Sequence, residues 1–137
     1  MKTYSPSQSS VKRNWHLLDA KDQVIGRLAT RAAELLMGKH KVDFVRHLDW
    51  GDHVVVINSA IVKATGNKDT QKVYTRHTGY PGGLRQITLE KLRLSKPEEI
   101  IKHAVSGMLP KNKLRDRMLL RLHVFSEEKH TYGQYFK

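Results

Sequence analysis

His53-Val54-Val55-Val56-Ile57-Asn58 decides the fold, because it holds a continuous β-branched run rather than an alternating one. Such runs suit strands covered on both faces, as in parallel sheets. Upstream, Ile25, Leu28, Ala29, Ala32, Leu35 and Leu36 recur at the i, i+3, i+4, i+7 spacing of one buried helical face. Arg27, Arg31 and Glu34 take the other side, and Gly38 is a natural C-terminal stop. Further upstream, Trp15-His16-Leu17-Leu18-Asp19 reads as a short strand, closed by a polar turn at Lys21-Asp22. Strand, helix and buried strand make a βαβ unit.

Downstream of Asn58 the pattern continues. Ile61 to Thr65 suggests a short strand, with a turn at Gly66-Asn67-Lys68. Lys72 to His77 alternates like a strand, and Thr78 to Gly83 reads as a glycine-rich loop. The last third is helical: Thr88 to Leu94, then a helix opened by Pro97 with Glu98 and Glu99 and stopped by Pro110. Leu114, Met118 and Leu122 support another helix, and His123-Val124-Phe125 a final extended piece. Alternating strands and helices argue for a three-layer α/β domain. The expected divisions are a Ser-rich mobile N-terminal arm over 1–13, one α/β domain over 14–125 and a tail over 126–137.

Composition narrows the function. In 137 residues, 25 Lys and Arg face 13 Asp and Glu, a net charge of +12. A polyanion relieves the self-repulsion of such a chain, and nucleic acid is the commonest such partner. The chain has no cysteine, which removes disulfides, thiolate metal sites and a Cys nucleophile. No apolar run approaches the roughly 20 residues of a membrane span. Met1 to Ser10 lacks the apolar core of a signal peptide.

Catalytic motifs are missing. Gly79, Gly82 and Gly83 fit neither G-x-G-x-x-G nor G-x-x-x-x-G-K-S/T. The competing function, a small nucleotide- or metal-dependent hydrolase on a Rossmann-like sheet, therefore lacks its phosphate loop. His47, Asp49, Asp52 and His53 are close in sequence, but their spacing matches no metal motif. They read as a solvated turn before the buried strand, so no metal or other cofactor is expected. Two cationic features remain. The loop Gly79-Tyr80-Pro81-Gly82-Gly83 lies among Arg76, His77 and Arg85, and its glycines permit close backbone approach. From Lys111 to Arg121, five cations face one acid, with Leu114, Met118 and Leu122 interleaved. The aromatic tail residues Tyr132, Tyr135 and Phe136 suit base stacking, a protein partner or the chain's own core equally.

The order of several short pieces resembles the bacterial-type large-subunit ribosomal protein L-thirteen family. They are Trp15 to Asp19, Ile25-Gly26-Arg27-Leu28-Ala29-Thr30, Gly38-Lys39-His40-Lys41, Gly51-Asp52, Thr65-Gly66-Asn67-Lys68, Lys72-Val73-Tyr74, His77-Thr78-Gly79 with Gly82-Gly83, and Val105-Ser106-Gly107-Met108-Leu109-Pro110-Lys111. Each is short, but their colinearity from about Lys2 to Phe125 is specific. The resemblance implies an α/β/α domain around a mainly parallel four-stranded sheet. It also implies a cytoplasmic structural protein of the ribosome, not an enzyme, that binds large-subunit ribosomal RNA and supports early subunit assembly. Its partners would be that RNA and neighbouring large-subunit proteins, with no membrane and no small-molecule substrate. Two departures stand out. Arg115 occupies a place where family members often carry glycine, and the tail after Phe125 replaces a longer extension.

On charge and resemblance together, the expected phosphate or groove contacts are Arg27, Lys39, His40, Lys41, Lys68, Lys72, Arg76, His77, Arg85, Lys111, Lys113, Arg115 and Arg117. Gly79, Gly82 and Gly83 are the expected points of close backbone approach.

Overall fold

The buried run at Val54 to Ile57 is the central strand of the sheet in the computed structural model, which describes residues 4–136. β1 (Trp15–Asp19), α1 (Ile25–Met37) and β2 (His53–Ile57) form the βαβ unit expected from the pattern. β1 runs parallel to β2, with Leu17 opposite Val55. α1 buries Ile25, Leu28, Ala29, Ala32, Ala33 and Leu36 along one stripe. Gly38 ends it in the left-handed conformation at φ +78°, and its N–H donates to the carbonyls of Glu34 and Leu35. A side chain at Gly38 would also meet the Trp50 carbonyl at 2.5 Å, so glycine is required there twice over.

After β2 the chain makes a short 3-10 turn at Ser59–Ile61, then α2 (Lys68–Gln71). β3 (Val73–His77) and β4 (Leu84–Thr88) follow as an antiparallel hairpin. α3 (Leu89–Ser95), α4 (Pro97–Met108), α5 (Leu114–Leu120) and β5 (Leu122–Val124) complete the main elements. β5 joins β2 in parallel, giving a three-stranded sheet of order β1-β2-β5.

The α/β class and the mainly parallel sheet are as the sequence predicts. The strand count is corrected: among the described residues the sheet has three strands, not four, and β3 and β4 pair only with each other. The strand expected over Ile61 to Thr65 is reduced to one parallel bridge between Val24 and Lys63. β4 fills the gap between the loop expected to end at Gly83 and the helix expected from Thr88, where one short run beside three glycines carries little period. α2 stands where only a turn was expected, and Leu122 belongs to β5 rather than to α5.

The core lies on one face of the sheet. Leu18, Val54, Val56, Leu122 and Val124 meet the buried stripe of α1, Ile100, Ile101 and Val105 of α4, and Met118 of α5. Fully burying one such side chain contributes roughly 1.5–3 kcal/mol, so this cluster dominates the stability.

The other face is covered by aromatic rings. The Trp15 ring lies parallel to those of His53 and Tyr135, each with centroids 4.2 Å away. Tyr132 comes within 5.0 Å of Trp15 and 4.4 Å of His123. The tail aromatics thus pack on the chain's own sheet, and Val55 on that face is fully buried.

Candidate nucleic-acid interface

The expected RNA-contacting residues fall into two surface groups and one buried one. The first group is the hairpin with its neighbours. Arg76 stands directly opposite Arg85 across the β3–β4 ladder, both exposed. Like charges so placed repel, by roughly 0.2–1 kcal/mol, and neither arginine has a salt bridge among the described residues. The Lys72 ammonium lies 5.3 Å from the centre of the Tyr74 ring, a cation–π contact. Lys68 and Lys72 border a depression beside the first turn of α1, where Arg27 is exposed.

The loop joining β3 to β4 uses its glycines in two ways. Gly79 and Gly82 adopt φ +89° and +71°, and each leaves open space where a side chain would stand. Gly83 is confined instead: a Cβ there would come within 2.0 Å of the Thr78 hydroxyl and 2.8 Å of the Tyr80 carbonyl. Its place is set by the loop folding on itself. The Gly79 N–H donates to Nδ1 of His77 at 2.9 Å, so His77 holds the loop with an unprotonated nitrogen.

The second group surrounds the C-terminal end of α1 and the start of α5. Lys39, Pro110 and Asn112 line one depression with Arg46. Lys111, Lys113 and Arg117 are exposed nearby in sequence, while Arg115 is only partly exposed and its Nε is buried. Arg46, and Lys96 at the far side of the hairpin, were not in the expected set. Arg46 has no Lys or Arg within four positions, and Lys96 stands with Lys91 and Arg93 in a segment marked by its apolar residues and its helix start rather than by charge.

The buried group is a correction. Asp49 and Asp52 are 4% and 0% exposed, so the segment before β2 is not a solvated turn. Asp52 accepts hydrogen bonds from the Lys41 ammonium and the Asn14 N–H, and its carboxylate lies 2.9 Å from Nε2 of His16 and 3.0 Å from Nε2 of His40. Lys41 also donates to the carbonyls of Lys12 and Trp50. Asp49 receives both terminal nitrogens of Arg121, which donates further to the Leu36 carbonyl at 3.3 Å, while Arg13 approaches Asp49 at 3.3 Å. Lys41 therefore faces inward, and His40 is paired to a carboxylate. Lys12 and Arg13, at the end of the expected arm, are tied to the same cluster.

Burial pushes both carboxyls up. At Asp52 the hydrogen bonds from Lys41 and His16 outweigh it, and at Asp49 the hydrogen bond and charge of Arg121 do, leaving both below the ordinary range. His16, His40 and Asp52 bring three ligand atoms within 4.8 Å of one another. An ammonium already bonded to that carboxylate supplies the counter-charge a cation would bring, so the arrangement is an internal ion cluster. His47 is exposed and His53 stacks on Trp15, so the four residues grouped by sequence do not converge.

Burial pushes the His53 and His123 imidazoles below their ordinary value, with the Arg121 charge adding to the effect at His53. Nδ1 of His53 is buried without a hydrogen-bond partner among the described residues. Both rings thus resist protonation under the aromatic tail. The unfolded chain takes up these protons as pH falls below about 6.5, while the folded chain resists them, so stability falls with pH there. We expect the melting temperature to decline from pH 7 to pH 5, and the double variant His53→Phe/His123→Phe to flatten the decline. Equal slopes in parent and variant would remove these two histidines as its cause.

No helix among the described residues is long and apolar enough to cross a membrane. Residues 13–131 match the family described as ribosomal protein L13. The chain is 52% identical over 133 residues to "Large ribosomal subunit protein uL13" of Clostridioides difficile, covering 97% of this chain and 93% of that one. It is 50% identical over 133 residues to the protein of the same name from Salinispora arenicola, covering 97% and 90%. The relative from Nitratidesulfovibrio vulgaris strain Miyazaki F is also 50% identical over 97% of this chain. With a family match over most of its length and relatives at half identity, this chain belongs to the ribosomal protein L13 family.

Proposed function

We propose that the chain is a structural constituent of the large ribosomal subunit, acting in the cytoplasm. There it binds large-subunit ribosomal RNA, supports early subunit assembly and packs beside neighbouring large-subunit proteins. The observation that carries the RNA reading is the set of exposed cations without acidic partners in a member of this family. Among the described residues, Arg27, Lys39, Lys68, Lys72, Arg76, Arg85, Lys111, Lys113 and Arg117 are exposed and form no salt bridge. Such groups neutralise phosphates and release counterions, which gives affinity without reading sequence. A hydrolase would need free convergent acids, and the two buried ones, Asp49 and Asp52, are already committed to Arg121 and Lys41.

The test is salt dependence. Replacing Lys111, Lys113 and Arg117 by Gln is expected to reduce the slope of log affinity against log salt by about 2–3 if each meets one phosphate. The melting temperature should move little, because exposed charges contribute little to folding. An unchanged slope with deproteinised large-subunit RNA would remove this stretch from the interface. Co-sedimentation of the parent with large subunits through high salt tests the structural role itself.

A further inference from the structure

We propose that the cleft between the β3–β4 hairpin and α4 receives one unpaired RNA nucleotide, its base beside Tyr74 and His103 and its phosphate on Arg76 and Arg85. The proposal rests on the RNA-binding reading and assigns it a subsite. The cleft has a volume of about 450 Å³, within the range of pockets that hold small organic ligands. It admits a splayed nucleotide, whereas a duplex is far too wide and needs only an outward cationic surface.

The lining has the mixed chemistry of a nucleotide. Tyr74 is half-buried, and its ring meets that of His103 edge-on, at 5.1 Å and 87°. Every base has a π face, so an aromatic platform accepts a base whatever its identity. The Lys72 ammonium near the Tyr74 ring helps fix that platform in place. Glu99 of α4 lines the same cleft. A carboxylate accepts hydrogen bonds, which suits the edge of a base bearing an amino group. Glu99 disfavours a ligand that is anionic throughout, such as a polyphosphate.

The phosphate position follows from the opposed Arg76 and Arg85. Their repulsion across the ladder is relieved by one anion shared between them. Lys96 stands at the cleft as a third cation. Nothing in the folding of the hairpin requires this pairing, since both side chains are exposed.

The experiment uses the full chain bound to deproteinised large-subunit ribosomal RNA, with chemical probing of base edges and of the backbone. The parent is expected to shield the Watson–Crick edge of one or two unpaired bases. His103→Ala should weaken binding about tenfold, and both it and Glu99→Ala should expose those bases again, with the salt slope unchanged. The variant Arg76→Gln/Arg85→Gln should lower the slope. Base shielding that persists in both His103→Ala and Glu99→Ala overturns the proposal. So does a parent that shields backbone but no unpaired base, the result expected if a protein segment fills the cleft. A parent that fails to bind the RNA overturns the broader reading instead, and is told apart by the loss of backbone shielding too.

Discussion

Arg121→Met is expected to destabilise the chain by about 3–5 kcal/mol, the usual effect of removing one member of a buried ion pair. Arg121 is 8% exposed and gives both terminal nitrogens to Asp49, which is 4% exposed. Methionine fills a similar volume but leaves the Asp49 carboxylate, among the described residues, with only Arg13, at 3.3 Å, as a charged partner. The Leu36 carbonyl at the end of α1 also loses its donor. The contrast with a double variant separates the origins. Arg121→Met/Asp49→Leu removes the stranded charge and should recover part of the loss, because well-packed apolar residues often replace buried pairs at little cost. Thermal or denaturant unfolding of the parent, Arg121→Met, Asp49→Leu and the double variant measures this. If the double variant is as unstable as the sum of the two single variants, the pair is not coupled in the way the geometry indicates.

Gly51→Ala is expected to have an effect at least as large, about 3 kcal/mol or more, at the upper end of overpacking changes. A Cβ at Gly51 would lie 1.7 Å from the Leu36 carbonyl oxygen, 2.7 Å from its carbon and 2.5 Å from Arg121 Nη2. Two of these three atoms are backbone at the end of α1, where Leu36 is fully buried, so no side-chain rotation relieves the clash. The adjacent hydrogen bond from the Asp52 N–H to the Leu35 carbonyl, 3.1 Å, must lengthen when the segments separate. Gly26→Ala is the matched control. It lies in the first turn of α1 with nothing within 4 Å of its Cβ position, and alanine there should be neutral or stabilising by up to about 1 kcal/mol. A Gly51→Ala protein that melts within a degree of the parent would show that the two segments separate easily.

Both predictions concern residues that sequence reasoning either placed on the surface or passed over. Arg121 lies in the basic stretch that begins at Lys111, and Asp49 among the polar residues of the turn before β2. Lys41 was an expected RNA contact, yet its ammonium is committed to Asp52 and two backbone carbonyls. The sequence offers no periodicity that marks these groups. Their partners are distant, with Asp49 and Arg121 separated by 72 positions.

What the sequence determined by itself is everything encoded in local period and local punctuation. The β-branched run at Val54 to Ile57 required a strand covered on both sides, and helices lie on one side and the aromatic tail on the other. The stripe from Ile25 to Leu36 and the stop at Gly38 gave α1 to within a residue, and Pro97 with Glu98 and Glu99 gave the start of α4. The charge excess and the colinear motifs indicated a basic member of a ribosomal family, because neither depends on how the chain is folded. Only the tertiary structure decided which cations remain available to a polyanion. It turned Lys41 and Arg121 inward, left Arg76 and Arg85 opposed on an exposed hairpin, and brought Tyr132 and Tyr135 onto Trp15. The physical reason is that periodicity reports which face of an element is buried. Ion pairing and ring stacking depend instead on which distant elements that burial brings within a few ångströms of each other.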